Sequence, residues 1–235
     1  MASTYLSRTV GATATNKNKV TVSLWFKRSK LGAENTLIGG TMTSNNRWKL
    51  RFKSDDTLDG EYGSGGSWYS LVTNRKFRDT SFWYHLVYQF DSTQGTSSNR
   101  VKIWINGVQE TSFGTANYPP QNDGNYIVEN SAKASVGTFY DGSGYHSSHR
   151  FDGSMSHVHV IDGTAYDASA FGSTDATTGE WKINTAPSVT YGTNGFFILK
   201  DTNSGTDQSP NTNNLTVSGT LTKTEDNPSN VFATL

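Results

Sequence analysis

The sequence predicts an all-β fold: one jelly-roll β-sandwich of two antiparallel sheets. Three observations carry this. Short segments with an apolar residue at every second position recur from end to end, which is the period of a strand buried on one face. Gly, Asn, Ser and Asp turns separate them, as 28 Ser, 31 Thr, 20 Asn and 23 Gly in 235 residues allow. No heptad run and no repeat of 20–50 residues is present, so the pattern fits neither a coiled coil nor a propeller.

Val20, Val22, Leu24 and Phe26 share the first clear strand face. Arg47–Phe52 alternates Trp48, Leu50 and Phe52 with Arg47, Lys49 and Arg51, which read as a solvated or subunit-facing edge of charge. Phe82–Phe90 is apolar on both faces and predicts a central strand covered on both sides. Val101, Ile103 and Ile105 point inward from the next strand, and Asn106-Gly107 predicts the tight turn that ends it. Trp25, Leu86, Val87, Val101, Ile103 and Ile105 are the expected core. Thr111–Asn130, with Pro119-Pro120, reads as a long surface loop, and His157–Ile161 and Gly195–Leu199 as late strands. Only Ala165–Phe171 has room for a helical turn, stopped by Gly172. The domain spans 1–200. A polar arm, 201–235, with one weak strand at Leu215–Val217, is expected to pack on the sandwich or on a neighbouring subunit.

Charge and composition exclude several classes. Twenty basic residues balance twenty acidic ones, so there is no electrostatic footprint for nucleic acid. Residues 1–102 are net basic and 103–235 net acidic, a skew that interleaving in one sandwich can erase. The absence of cysteine removes disulfides and thiolate metal sites. The longest apolar stretch, Phe196–Leu199, is far too short for a helical membrane span, and the first residues lack the apolar core of an export signal.

Phe77-Arg-Asp-Thr-Ser-Phe-Trp-Tyr-His-Leu-Val87, Phe90-Asp-Ser-Thr-Gln94 and Asn99-Arg-Val-Lys-Ile-Trp-Ile-Asn-Gly-Val-Gln109 resemble concanavalin A-like, LamG-type jelly-roll domains. Tyr5-Leu-Ser-Arg8, Phe151–Gly163, Thr178–Trp181, Tyr191–Phe196 and Asp226–Leu235 resemble the version found in bacteriophage virion proteins of the marine-phage type. The resemblance implies a virion component assembled in the host cytoplasm: a capsid-surface decoration or a small fibre or appendage subunit. Its expected partners are other virion proteins and further copies of itself. The alternative it leaves open is a tail-fibre adhesion module that reads host surface glycan. The same fold also hosts lectins and glucanases, so the site needs its own argument.

Glucanases of this fold carry Glu-x-Asp-x-x-Glu on one strand, and no Glu here has an Asp two residues later. The acidic cluster Asp55, Asp56, Asp59 and Glu61 reads as a solvated turn. No catalytic residue is assigned, and the protein is expected not to be an enzyme. His85 reads as a hydrogen-bonded core residue. His157 and His159 share a face that is expected to meet solvent, and His146 and His149 lie in a Gly/Ser-rich loop that composition makes flexible. Sugar sites stack rings on aromatics, so Trp68 and Tyr69 beside Gly63–Gly66, together with Tyr140 and Tyr145, are the candidate glycan-binding residues; Tyr118 also lies in a loop. For calcium, Asp207, Ser209, Asn211 and Asn213 space oxygens at alternate positions without an acidic closing ligand, and Asp91 and Asp162 stand beside turns. Turn chemistry explains all three aspartates without an ion, so no cofactor is expected.

Overall fold

The computed structural model describes residues 4–200 and 204–229. In chain order the strands are β1 Tyr5–Thr9, β2 Lys19–Arg28, β3 Asn35–Thr43, β4 Asn46–Phe52, β5 Thr57–Ser64, β6 Ser67–Lys76, β7 Tyr84–Asp91 and β8 Val101–Ile105. They continue as β9 Val108–Gln109, β10 Phe113–Asn117, β11 Lys133–Val136, β12 Gly153–Asp162, β13 Gly172–Thr174, β14 Trp181–Ile183, β15 Phe196–Ile198 and β16 Thr216–Ser218. Two antiparallel sheets pack face to face, ordered β10-β6-β5-β4-β3-β11-β1-β16 and β15-β12-β2-β7-β8-β9, and β13-β14 forms a separate hairpin.

Period-two side chains build the core. Val20, Val22, Leu24, Phe26, Leu86, Tyr88, Phe90, Ile103 and Ile105 from the six-stranded sheet meet Trp48, Leu50, Phe52, Leu58 and Tyr62 from the eight-stranded sheet. The turn at Asn106-Gly107 has φ of 50° and 78°, the left-handed pair a two-residue hairpin requires, and joins Ile105 to Val108 as the sequence predicts. Gly107 has a second reason to lack a side chain: a Cβ there would lie 2.3 Å from the Trp181 ring.

The six-stranded sheet is covered on both sides. On its outer face Val87, Ile161 and Phe197 pack against Ala168, Phe171 and Tyr191 of a flap formed by residues 164–191. Trp25 and Val87 are therefore buried as expected, yet they face the flap rather than the space between the sheets. His157 and His159, expected at the solvent, are buried too. A bulge between Ser156 and His159, with His157 at φ 49°, sets both rings against Phe197. The expected helical turn exists as a single 3-10 turn, Ala168–Ala170, capped by the Asp167 carboxylate.

Other expectations change. The central strand starts at Tyr84, and Phe82 is exposed. Thr111–Asn130 is not a plain surface loop, because it contributes the edge strand β10 and buries Tyr126, Ile127 and Val128 in the core. Hydrophobic residues outside a period-two run still fill the sandwich when the chain crosses its open end. Within 204–229, Leu215 is buried, β16 adds to β1, and Asp226 bonds Lys27 and the Trp83 indole. Residues 201–203 and 230–235, part of the expected arm, lie outside the described residues.

Ile103 is fully buried between the sheets. Ile103→Ala should lower unfolding free energy by about 2–5 kcal/mol in a denaturant titration. A loss below about 0.5 kcal/mol would contradict its placement.

Candidate functional site

The face of the eight-stranded sheet that points away from the core carries the chemistry. The β4–β5 hairpin sets Arg47 opposite Gly63, Lys49 opposite Glu61 and Arg51 opposite Asp59, and β6 continues these rows with Trp68 and Ser70. Lys49 Nζ lies 3.2 Å from Glu61, and Arg51 bridges Asp59 at 3.1 Å and Glu61 at 2.9 Å. Arg51 also reaches Glu34 at 2.9 Å, and Arg47 lies 3.4 Å from Glu61. The Ser70 hydroxyl donates to Asp59.

This overturns two expectations. Asp59 and Glu61 stand on a strand rather than in a solvated turn, and Lys49, at 2% exposure, is not solvated. Asp56 is buried as well, bonded to Arg28 at 3.1 Å and Arg78 at 3.0 Å. A signal for the face was present in the sequence. Arg-x-Lys-x-Arg and Asp-x-Glu both have period two and are joined by a short turn, so a hairpin must lay them side by side.

Residues 137–150 cover part of the charges. The Phe139 ring lies over the Lys49 ammonium at 4.1 Å, and His146 and His149 stack on it. His149 approaches Glu34 at 3.4 Å. Composition suggested a flexible loop, but Asp141 pins its turn by accepting from the amides of Ser143 and Gly144 and from the Ser143 hydroxyl. Burial pushes the Glu61 carboxyl up, yet Lys49, Arg51 and Arg47 together outweigh it and hold it below its usual range. Burial dominates at Asp59 and raises it against the Ser70 bond and Arg51, while burial lowers Lys49. Two carboxylates on alternate strand positions are thus locked to cations, with neither poised as a free acid beside a free nucleophile.

The four aromatic candidates do not form one platform. Trp68 lies on this outer face, 42% exposed, and packs over Gly63, where a Cβ would come within 2.5 Å of the ring. The Arg47 guanidinium sits 4.6 Å from its centroid and 5.5 Å from Phe139. Tyr69 points to the opposite face and packs near Tyr62. Tyr145 packs between Tyr5, tilted at 4.9 Å, and Tyr140, edge-on at 5.3 Å.

The three aspartates considered for calcium act as loop staples. Asp162 accepts from the amides of Thr15, Asn16 and Asn194. Asp207 accepts from the amides of Phe197, Ser209 and Asn213 and the Ser209 hydroxyl. Asp91 accepts from Thr93 and the Gln94 amide. Among the described residues no group of three His, Asp or Glu side chains is arranged to hold a metal ion.

Glu61→Gln should cost about 3–5 kcal/mol of stability, because it leaves the Lys49 ammonium buried without its carboxylate. A double-mutant cycle with Lys49→Met checks the coupling: the double variant should recover most of the loss. Independent, additive losses would contradict the pair.

The laminin G-type model of the concanavalin A-like lectin/glucanases superfamily matches residues 2–169. No curated protein sequence matches the chain. Among solved structures it is similar to a heptameric SAP-like pentraxin from Limulus polyphemus, at 17% identity over 70% of this chain and 77% of that one, TM-score 0.45. It is also similar to domain 4 of an extracellular arabinanase from Geobacillus stearothermophilus, at 24% identity over 64% of each chain, TM-score 0.46. Domains LG4-5 of the mouse laminin α1 chain align at 9% identity over 84% of this chain and 44% of that one, TM-score 0.46. With the family model spanning most of its length and two antiparallel sheets in place, the chain belongs to the concanavalin A-like lectin/glucanases superfamily.

Proposed function

We propose that this protein is a non-enzymatic bacteriophage virion component, used as a capsid-surface decoration or a small fibre or appendage subunit. The observation that carries the non-enzymatic reading is the engagement of Asp59 and Glu61, the carboxylates at alternate positions of β5, by Lys49 and Arg51. Glycoside hydrolysis needs one carboxylic acid that can give up a proton and one carboxylate free to attack or to activate water. Here both are held by cations, and the Phe139 loop narrows access to Lys49. The virion assignment rests on the motif resemblance along the chain, from Tyr5–Arg8 to Asp226–Leu235. Quantitative mass spectrometry of purified particles of the encoding phage should find the protein at a fixed copy number per virion. Its absence from particles would overturn the assignment.

A second reading, glycan adhesion, has one specific observation in its favour. Trp68 is the large aromatic of this outer face that keeps substantial exposure, and Arg47 beside it supplies donors for hydroxyl or carboxylate groups. In this reading Trp68→Ala should weaken binding to any glycan retained on an array at least tenfold without shifting the melting temperature. Unchanged binding by that variant would remove Trp68 from the site. Tyr69 takes no part, because it faces the core side of the sheet.

We further propose that the fold needs no calcium. The carboxylates of Asp91, Asp162 and Asp207 already accept N–H and O–H donors that a cation would have to displace. Adding excess calcium to chelator-treated protein should leave the melting temperature unchanged. A rise of several degrees would reveal binding to the native state.

A further inference from the structure

The flap over the six-stranded sheet is fastened in two chemically different ways. Each of its two ends has backbone and side-chain contacts made by groups that do not titrate. Near one end Thr21 Oγ1 donates to the Thr164 carbonyl at 2.9 Å and accepts from the Tyr166 amide at 2.7 Å, and the Gln89 amide donates to the Ala165 carbonyl at 2.8 Å. At the other end the Asp162 amide donates to the Tyr191 carbonyl at 3.0 Å. The middle, the β13–β14 hairpin, is fastened through an imidazole: the Trp181 indole N–H donates to His85 Nδ1 at 3.0 Å.

An indole N–H can only donate, so Nδ1 must carry a lone pair. The ring proton therefore sits on Nε2, where it donates to Ser23 Oγ, 2.9 Å away. Trp25 stacks on His85 from one side at 4.8 Å, and Trp181 stacks at 5.9 Å. The other buried histidines under the flap differ in kind. His159 Nδ1 meets the Tyr191 hydroxyl at 2.9 Å and His157 Nδ1 meets the Ser156 hydroxyl at 2.7 Å, and a hydroxyl can turn to accept from a protonated ring. The His85–Trp181 contact is incompatible with an imidazolium, because protonation sets two N–H groups head to head.

We propose that residues 164–191 form an acid-released flap in which protonation of His85 breaks its bond to Trp181 and lifts the β13–β14 hairpin, while both ends of the flap stay anchored.

The surroundings of His85 favour this. It is fully enclosed, and the titratable groups that face it are His157 and His159, with Lys200 adding a further positive charge near His159. β2 presents Ser23 and Trp25, the β8–β9 turn presents Asn106, and the flap presents Trp181 and Phe171, none of which can balance a cation. Burial first, and then His157, depress His85 from the ordinary histidine value of 6.5 to about 3. The neutral ring is the closed form, so the latch holds in full above about pH 6.5 and weakens as pH falls toward 3. Between pH 7.5 and 4.5 the balance between closed and lifted hairpin should shift by about 100-fold. Lifting the hairpin would uncover Val87, which is fully buried in the closed form, beside the partly buried Trp104 ring.

Amide hydrogen exchange on the full chain at pH 7.5 and 4.5, corrected for intrinsic rates, tests this. Protection of amides in 172–183 should fall about 100-fold while β2 and β7 keep theirs, and His85→Gln should cut the fall to less than tenfold. Equal loss in the hairpin and in β2 and β7, or a full fall in His85→Gln, would overturn the proposal. If that variant fails to fold, side-chain nitrogen NMR of the unaltered protein decides. His85 should keep its Nε2–H tautomer to below pH 5 for as long as the hairpin is protected. A charged His85 beneath a fully protected hairpin would overturn it.

Discussion

The structure depends on how one sheet disposes of charge on its outward face. The β4–β5 hairpin places three cations beside two carboxylates, with Lys49 directly opposite Glu61 and Arg51 directly opposite Asp59. A buried ammonium such as that of Lys49 is tolerable only with a partner at contact distance, and Glu61 supplies it at 3.2 Å. Arg51 then ties Asp59, Glu61 and Glu34 together, so that β4, β5 and the segment leading into β3 are joined on the outside as well as through their ladders. Only once these charges are matched can Phe139 and the two stacked histidines lie over them. The same pairing that holds the face together engages both of its carboxylates with cations.

The opposite sheet solves a different problem. Its outer face mixes Thr21, Ser23, His85 and Gln89 with apolar Trp25, Val87 and Ile161, and the flap covers it. Covering it brings three histidines into a dry space, where neutral rings serve as hydrogen-bond partners. A strand covered on both sides carries apolar side chains on both faces, so burial does not say which face a residue takes. This explains why Trp25 and Val87 were legible as buried residues but not as flap-facing ones, and why His157 and His159 read as solvent-facing. The bulge at Ser156–His159 breaks strict alternation, and no local residue pattern announces it.

Much of the framework was legible because it is local. Alternation at Val20–Phe26, Trp48–Phe52 and Val101–Ile105 places three strands of the two sheets, and the turn at Asn106-Gly107 ends the third. The candidate site was less legible because its parts meet across strands. Trp68 and Tyr69 are adjacent in sequence, which on a strand guarantees opposite faces, so they could never form one sugar platform. Asp59 and Glu61 read as part of a turn because Asp55-Asp56 and Gly60 dominate the local composition. Asp207, Ser209, Asn211 and Asn213 do form a polar loop, but it stitches 192–197 to 207–213 with its own hydrogen bonds.

The account stands or falls on the ionisation of the β5 carboxylates. A carbon-detected NMR titration that follows the side-chain carboxyls of the folded protein would measure it directly. Glu61, held by three cations, should titrate below the ordinary glutamate range, and Asp59 above the ordinary aspartate range, both staying coupled to Arg51 throughout. A Glu61 that instead takes up its proton near neutral pH would behave as a general acid. That result would contradict the reading of this face as a structural ion-pair array and reopen the case for catalysis.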